Sequence, residues 1–281
     1  MRQQVREEKR RRYLDAAIVI VMRDGFDGLT MGAIAREVGA AVGTIYGYFP
    51  AKGALMSELQ IYAIETIVGA WTEARDAWTA ELARGGLSES RLALASILAF
   101  GEYFSQLRSA YPEEFRLQQM QLAERTEIFD EADLSRLIPA AADLLRCSFQ
   151  VLDNAARAGA IVDPDASVDR SVTLALTLNG LALIDNVPYA TELISSSQLS
   201  RQLLLDLVVG WGADPIDVDA VIDAVTMVAD TKPLHSLAGY ESHRARNVLV
   251  TGEPHTIDLS DVEPAHVDGS AERDDLSVAR Y

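Results

Sequence analysis

LTMGAIAREVGAAVGTIYGYFPAKGAL, residues 29–55, holds two short helical patterns separated by a turn. Residues 31–38 set Met31, Ile34, Ala35 and Val38 on one face, with Thr30 placed to cap the start and Gly39 to stop the helix. Residues 42–49 form the second pattern, closed by Pro50. Two short helices across a glycine-containing turn are the helix-turn-helix pattern, whose second helix is slim enough to enter a DNA major groove. The expected fold class is all-α, with an N-terminal three-helix head carrying this motif and a larger C-terminal helical domain for ligand binding and dimerisation.

Upstream, Leu14, Ala17, Ile18 and Val21 recur at helical spacing, which predicts a first helix running to Arg23 and ending at Asp24-Gly25. Phe26 and Leu29 then close a small core beneath the motif. The opening MRQQVREEKRRR has two readings: Arg2, Gln3, Gln4 and Arg6 as an arm reaching a minor groove, or a solvated start to helix 1.

The run Gly39, Gly43-Thr44-Ile45-Tyr46, Tyr48-Phe49, Lys52 and Leu55 resembles the DNA-binding signature of the tetracycline-repressor (TetR) family, several positions matching at fixed spacing. The resemblance covers about the first sixth of the chain; the remainder is similar to the family only in being helical and of suitable length. Two positions depart from the pattern. Ala41 opens the recognition helix where the family usually has Ser or Thr, and Ala51 precedes the lysine where it usually has Ser or Asn. Each change removes a side-chain cap worth roughly 0.5–2 kcal/mol, so both helix starts are expected to fray more readily.

Within the motif, Thr44, Tyr46, Tyr48 and Lys52 suit phosphate contacts, because hydroxyls and an ammonium at these spacings can grip the DNA backbone; the resemblance implies the same assignment. Positions 42, 43, 44 and 47, after Ala41, face the bases. Val42 and Thr44 can touch thymine methyl groups, whereas Gly43 and Gly47 offer close backbone approach. No side chain on this helix can make a bidentate contact to guanine or adenine, so Arg36 and DNA shape are left to supply specificity. Thr30 reads either as a plain cap or as a further contact. Tyr46 suits a core aromatic with its hydroxyl at the surface, which is compatible with phosphate contact.

The net charge of −17 divides unevenly: +3 over residues 1–52, −16 over 53–230 and −4 over 231–281. Basic charge sits where DNA would lie, and the acidic body would be repelled from phosphate, favouring one docking orientation. Acidity also serves solubility. An apolar fraction of 49% is that of a globular chain. The single Cys147 allows no intrachain disulfide and fits a reducing compartment. No signal peptide or membrane-spanning run is read, and a cytoplasmic location without a membrane partner is expected.

After Pro50 a long helix is expected over 51–83, with Leu55, Leu59, Tyr62, Ile64, Ile67, Trp71 and Trp78 inward. The resemblance implies that this element passes a ligand signal to the head. Further helices are expected from Ser88 or Ser90 to Arg108, from Pro112 through Met120, over 134–158 with Pro139 kinking or restarting it, and over 215–228. Residues 172–184 and 199–211 are apolar around most of their circumference. They read as central core helices or as a homodimer interface, a two-fold four-helix bundle being the arrangement expected here and in the family. Residues 231–281 read as an acidic, disordered tail. The expected domains are therefore 1–52, 53–230 and that tail.

Phe100, Tyr103, Phe104, Phe115, Met120, Cys147, Phe149 and Asn179 can enclose an apolar pocket for a small hydrophobic effector, though each aromatic also suits ordinary core. Asn179 is distinctive, since an amide within so apolar a helix needs a partner: a ligand, another subunit or a neighbouring hydroxyl.

Some motifs lead nowhere. Asp130-Glu131-Ala132-Asp133 spells a helicase string without a phosphate-binding loop, and Asp163, Asp165, Ser167 and Asp169 imitate a calcium loop with Val168 where glycine is needed. All four histidines lie in the tail, leaving no histidine for base catalysis or a metal site in the folded part. No cofactor, metal or enzymatic activity is expected. The expectation is a ligand-responsive repressor of double-stranded DNA. The alternatives are a small-molecule or lipid-binding helical protein with weakened or lost DNA binding, and an all-helical enzyme using carboxylates.

Overall fold

A computed structural model describes residues 2–123, 129–186 and 195–234, without the side chains of 2, 120–123, 185 and 186. The described residues are helical with no strand: α1 Arg2–Gly28, α2 Met31–Val38, α3 Val42–Tyr46, α4 Lys52–Arg84, α5 Glu89–Ala110, α6 Pro112–Ala123, α7 Glu131–Arg157, α8 Ser167–Ala182, α9 Ser196–Gly210 and α10 Pro215–Thr231. The tail beyond Leu234, with its histidines, lies outside the described residues.

Helices α1 to α3 close over Ala17, Ile20, Leu29, Ile34, Ile45 and Phe49, and this core runs on past residue 52 into Leu55, Met56, Leu59 and Ala63 of α4. The helical backbone breaks at Gly25, as expected: φ 72° and ψ −173° are not helical and are readily taken by glycine, and a short helical stretch then carries α1 on to Gly28. The basic opening is helical from Arg2, so it starts a helix rather than forming an arm. Arg12 Nη2 donates to the Val38 carbonyl at 2.8 Å, and Arg10 pairs with Glu58 while its guanidinium lies 5.1 Å from the Phe49 ring centre. These contacts fix α1 against α2 and α4.

Helix 2 has the expected limits. The Ala33 N–H donates to Thr30 Oγ1 at 3.0 Å, and Gly39 ends the helix in the left-handed region at φ 67°. Helix 3 is shorter than expected and stops at Tyr46. Gly47 and Tyr48 turn the chain with bonds from Gly47 N to Thr44 O and Tyr48 N to Ile45 O, which brings Phe49 into the core ahead of Pro50. Neither α3 nor α4 has a side-chain cap at Ala41 or Ala51.

In the body, α5 lies among α4, α7, α9 and α10. Trp71 stacks edge-on against Phe100 with ring centres 4.9 Å apart and lies 5.1 Å from the Tyr103 ring. Helix 7 neither restarts nor breaks at Pro139 but runs unbroken from an Asp130 cap to Arg157. Trp78 Nε1 donates to the Lys232 carbonyl at 2.9 Å and the Leu234 N–H to Gln106 Oε1 at 2.9 Å, so ordered packing reaches Leu234. Helix 6 joins both halves: Leu117 is buried in the core of the head, while Gln118 faces the body.

Candidate nucleic-acid interface and cavity

The head presents α3 outward. Ala41, Val42, Gly43, Thr44, Tyr46 and Gly47 are exposed while Ile45 alone of this helix is buried, so one residue anchors it and its remaining sides are open. Tyr46 is 50% exposed, far more than a core tyrosine. A Cβ on Gly43 would meet nothing within 4 Å, which leaves this backbone open to close approach. Thr30, Arg36 and Lys52 flank it and are also exposed. Thr30 is engaged as the α2 cap, and Lys52 Nζ donates to the Phe26 carbonyl at 3.4 Å, a long bond that an incoming phosphate can replace.

Tyr48 is held differently from Tyr46. It is half-buried, packs edge-on against Tyr13 at 5.0 Å between ring centres, and lies beneath the Arg6 guanidinium at 5.8 Å. Its ring is part of the scaffold on which Tyr46 stands.

A cavity of about 340 Å³ lies among α4, α5, α6, α7 and α8, within the range of small-molecule sites. Phe100, Tyr103, Phe104, Cys147 and Asn179 line it, as expected. Phe115 does not: it is buried beneath the wall, edge-on to Phe104 at 5.7 Å between ring centres. Phe149 is half-buried on α7 outside the cavity, and the Met120 side chain lies outside the described residues. The remaining wall comes from Ile67, Val68, Trp71, Leu107, Gln118, Leu144, Leu145 and neighbours; the sequence marks Ile67 and Trp71 as inward but assigns none of these to a pocket. Trp71 and the paired amides Gln118-Gln119 carried a signal, being polar groups within apolar helix faces.

Asn179 has partners within the chain. Gln119 Nε2 donates to its Oδ1 at 2.6 Å, and its own Nδ2 donates to the Ala175 carbonyl at 2.7 Å. Tyr103 donates its hydroxyl to the Ile67 carbonyl at 2.6 Å, and burial raises its pKa. Burial also pushes the Cys147 thiol up to about 12, so it is a neutral part of the wall. The cavity is thus mainly apolar, with the Gln118 and Asn179 amides and the Trp71 indole in its wall, while no described helix is long and apolar enough to cross a membrane.

Residues 14–59 match the family model described as bacterial regulatory proteins, tetR family. The HTH-type transcriptional repressor KstR of Mycolicibacterium smegmatis is 41% identical over 49 residues, and that of Rhodococcus jostii 41% over 46 residues. The chain spans 24% and 22% of the length of these relatives, 17% and 16% of its own, so this likeness is confined to the head. A solved structure of a protein with unknown function from Rhodococcus sp. RHA1 is similar at a TM-score of 0.55 and 18% identity, covering 73% of this chain and 95% of that one. This second likeness is one of fold, and it extends over the helical body.

Proposed function

We propose that this chain, whose residues 14–59 match the model of the tetR family of bacterial regulatory proteins, is a transcriptional repressor that binds a pseudo-palindromic operator as a homodimer and responds to a small apolar effector. The observation that carries this reading is the outward face of α3. A five-residue helix anchored by Ile45 presents Val42, Gly43, Thr44 and Tyr46, with Lys52 at its edge, on a head whose own core is closed beneath them.

The dimer uses α8 and α9. Val168, Val172 and Leu176 recur every four residues along α8 and are all exposed, Leu176 to 57%, and Leu199 and Val209 are exposed on α9. A run of exposed apolar side chains on one helix is what a two-fold partner covers. In the dimer the two α3 helices enter successive major grooves about 34–36 Å apart, or a multiple of that. The effector occupies the cavity, and its influence on DNA affinity is bounded by how much better it binds one head spacing than the other.

The uncapped starts of α3 and α4 favour a second reading, a ligand-binding helical protein whose head holds DNA weakly. Selection of bound duplexes from a random pool separates the two, run with the parent and with Tyr46→Ala and Lys52→Ala. The regulator reading expects an inverted repeat that both variants bind more weakly. Enrichment of no sequence above a salt-sensitive background leaves the ligand-binding reading.

A further inference from the structure

Among the described residues, the cavity wall contains no Asp, Glu, Lys, Arg or His. Arg75 and Arg146 lie near Cys147 but are paired with Asp76 and Asp143, and neither belongs to the wall. A charged group placed there would lose its water without gaining an opposite charge.

Two polar atoms of wall residues also lack partners. Trp71 is 2% exposed and its Nε1–H has no acceptor among the described residues; Gln118 is 5% exposed and its Oε1 has no donor among them. Beside Gln118, Gln119 Oε1 is likewise unpartnered, although its Nε2 is engaged by Asn179. Buried polar groups without partners cost free energy, and such orphans are uncommon in folded proteins. One donor and one acceptor, on Trp71 and Gln118, belong to the cavity wall, and Gln119 is joined to that wall through its bond to Asn179.

Building on the reading given above, we propose that the cavity takes an uncharged, mainly apolar molecule bearing a hydroxyl, anchored by Gln118 and Trp71, and that it discriminates against carboxylates and ammonium ions. The hydroxyl donates to the Gln118 carbonyl oxygen and accepts from the Trp71 indole N–H, and a carbonyl or ether supplies only the second of these bonds. The hydrocarbon part packs on Phe100, Phe104 and Leu144.

The test uses the purified full chain and displacement of an uncharged dye, N-phenyl-1-naphthylamine, by ten-carbon competitors at neutral pH. The expected result is that 1-decanol displaces the dye at concentrations about tenfold lower than decanoate or decylammonium, and about threefold or more lower than 1-methoxydecane, which accepts but cannot donate. With each competitor's constant corrected for the dye's own affinity in that variant, Gln118→Leu weakens decanol about threefold or more relative to 1-methoxydecane, and Trp71→Phe weakens decanol about threefold or more relative to decane. Decanoate or decylammonium competing as well as decanol overturns the proposal. So does methoxydecane matching decanol, which needs no variant to fold, or failure of the dye to bind.

Duplex selection on the same preparation keeps the two conclusions apart. A chain that prefers decanol but enriches no duplex supports this pocket chemistry and loses the repressor reading. One that enriches a duplex but prefers decanoate loses this inference alone.

Discussion

Tyr46 and Tyr48 stand two residues apart and are held quite differently. Tyr46 projects from α3 with half its surface exposed, so Tyr46→Ala should leave stability within about 0.5 kcal/mol of the parent, read by thermal unfolding, and weaken duplex binding. Tyr48 packs on Tyr13, and Tyr48→Ala should cost about 1–3 kcal/mol of stability, read by thermal unfolding, with DNA affinity falling as a consequence. Equal melting temperatures for the two variants would show that the aromatic pair is not a support of the head. Cys147 offers a separate test. Its folded pKa, raised by burial to about 12, lies above that of a free thiol near 8.5. The thiol therefore adds stability below the unfolded value, and that contribution disappears as pH rises towards the folded one. Alkylation by iodoacetamide at mildly alkaline pH should be slower in the native chain than in the unfolded chain by about two orders of magnitude or more. Equal rates would mean that α7 opens freely at the cavity.

At the scale of the element, the missing caps are the simplest defects to repair. Ala51→Ser supplies a hydroxyl at the start of the 33-residue α4, where the backbone is already extended at φ −144° and ψ 165°. It should raise stability by about 0.5–1.5 kcal/mol in thermal unfolding, and no change would place the frayed end in the unfolded baseline. Helix contact imposes the opposite limit at Gly101 of α5, where an added Cβ would lie 2.3 Å from Leu204 Cδ2 of α9. Gly101→Val should therefore cost about 1–3 kcal/mol by overpacking, and an unchanged melting temperature would show that α9 can move aside. The same two elements explain what sequence could convey. Thr30, Gly39, Ser88 and Pro112 are local signals, and they mark helix ends because capping and chain reversal involve only neighbouring residues. Phe104 and Phe115 have the same chemistry and similar spacing, yet one faces the cavity and the other lies behind it. That choice depends on how α5 and α6 meet, which helical periodicity does not encode. Helix 3 was overextended for a related reason: burial of Phe49 beneath α1 pulls the chain into a turn after Tyr46, and this is a tertiary demand.

For the whole molecule, charge and apolar surface point in the same direction. A head of +3 on a body of −16 turns the head towards phosphate, but one short α3 with small side chains offers few base contacts. Joining two heads multiplies that modest affinity through a high effective concentration at the second half-site. Val168 and Val172 lie on the far side of α8 from the buried Leu174 and Leu178 and outside the cavity wall, whereas Leu176, also exposed, belongs to that wall, so a partner covering the stripe meets the cavity at Leu176. Val172 does not line the cavity, which makes Val172→Asp the cleanest disruption. Two-fold symmetry places each new carboxylate in the interface twice, so the dimer loses two apolar contacts and gains two desolvated charges, a penalty of several kcal/mol. Sedimentation should find the parent as a dimer and Val172→Asp as a monomer with the parent's melting behaviour at high dilution. Its affinity for a full inverted repeat should fall to that for a single half-site, while the decanol preference of the cavity persists. A variant that remains dimeric would move the interface away from α8, and a monomer that keeps full operator affinity would show that the two heads act independently.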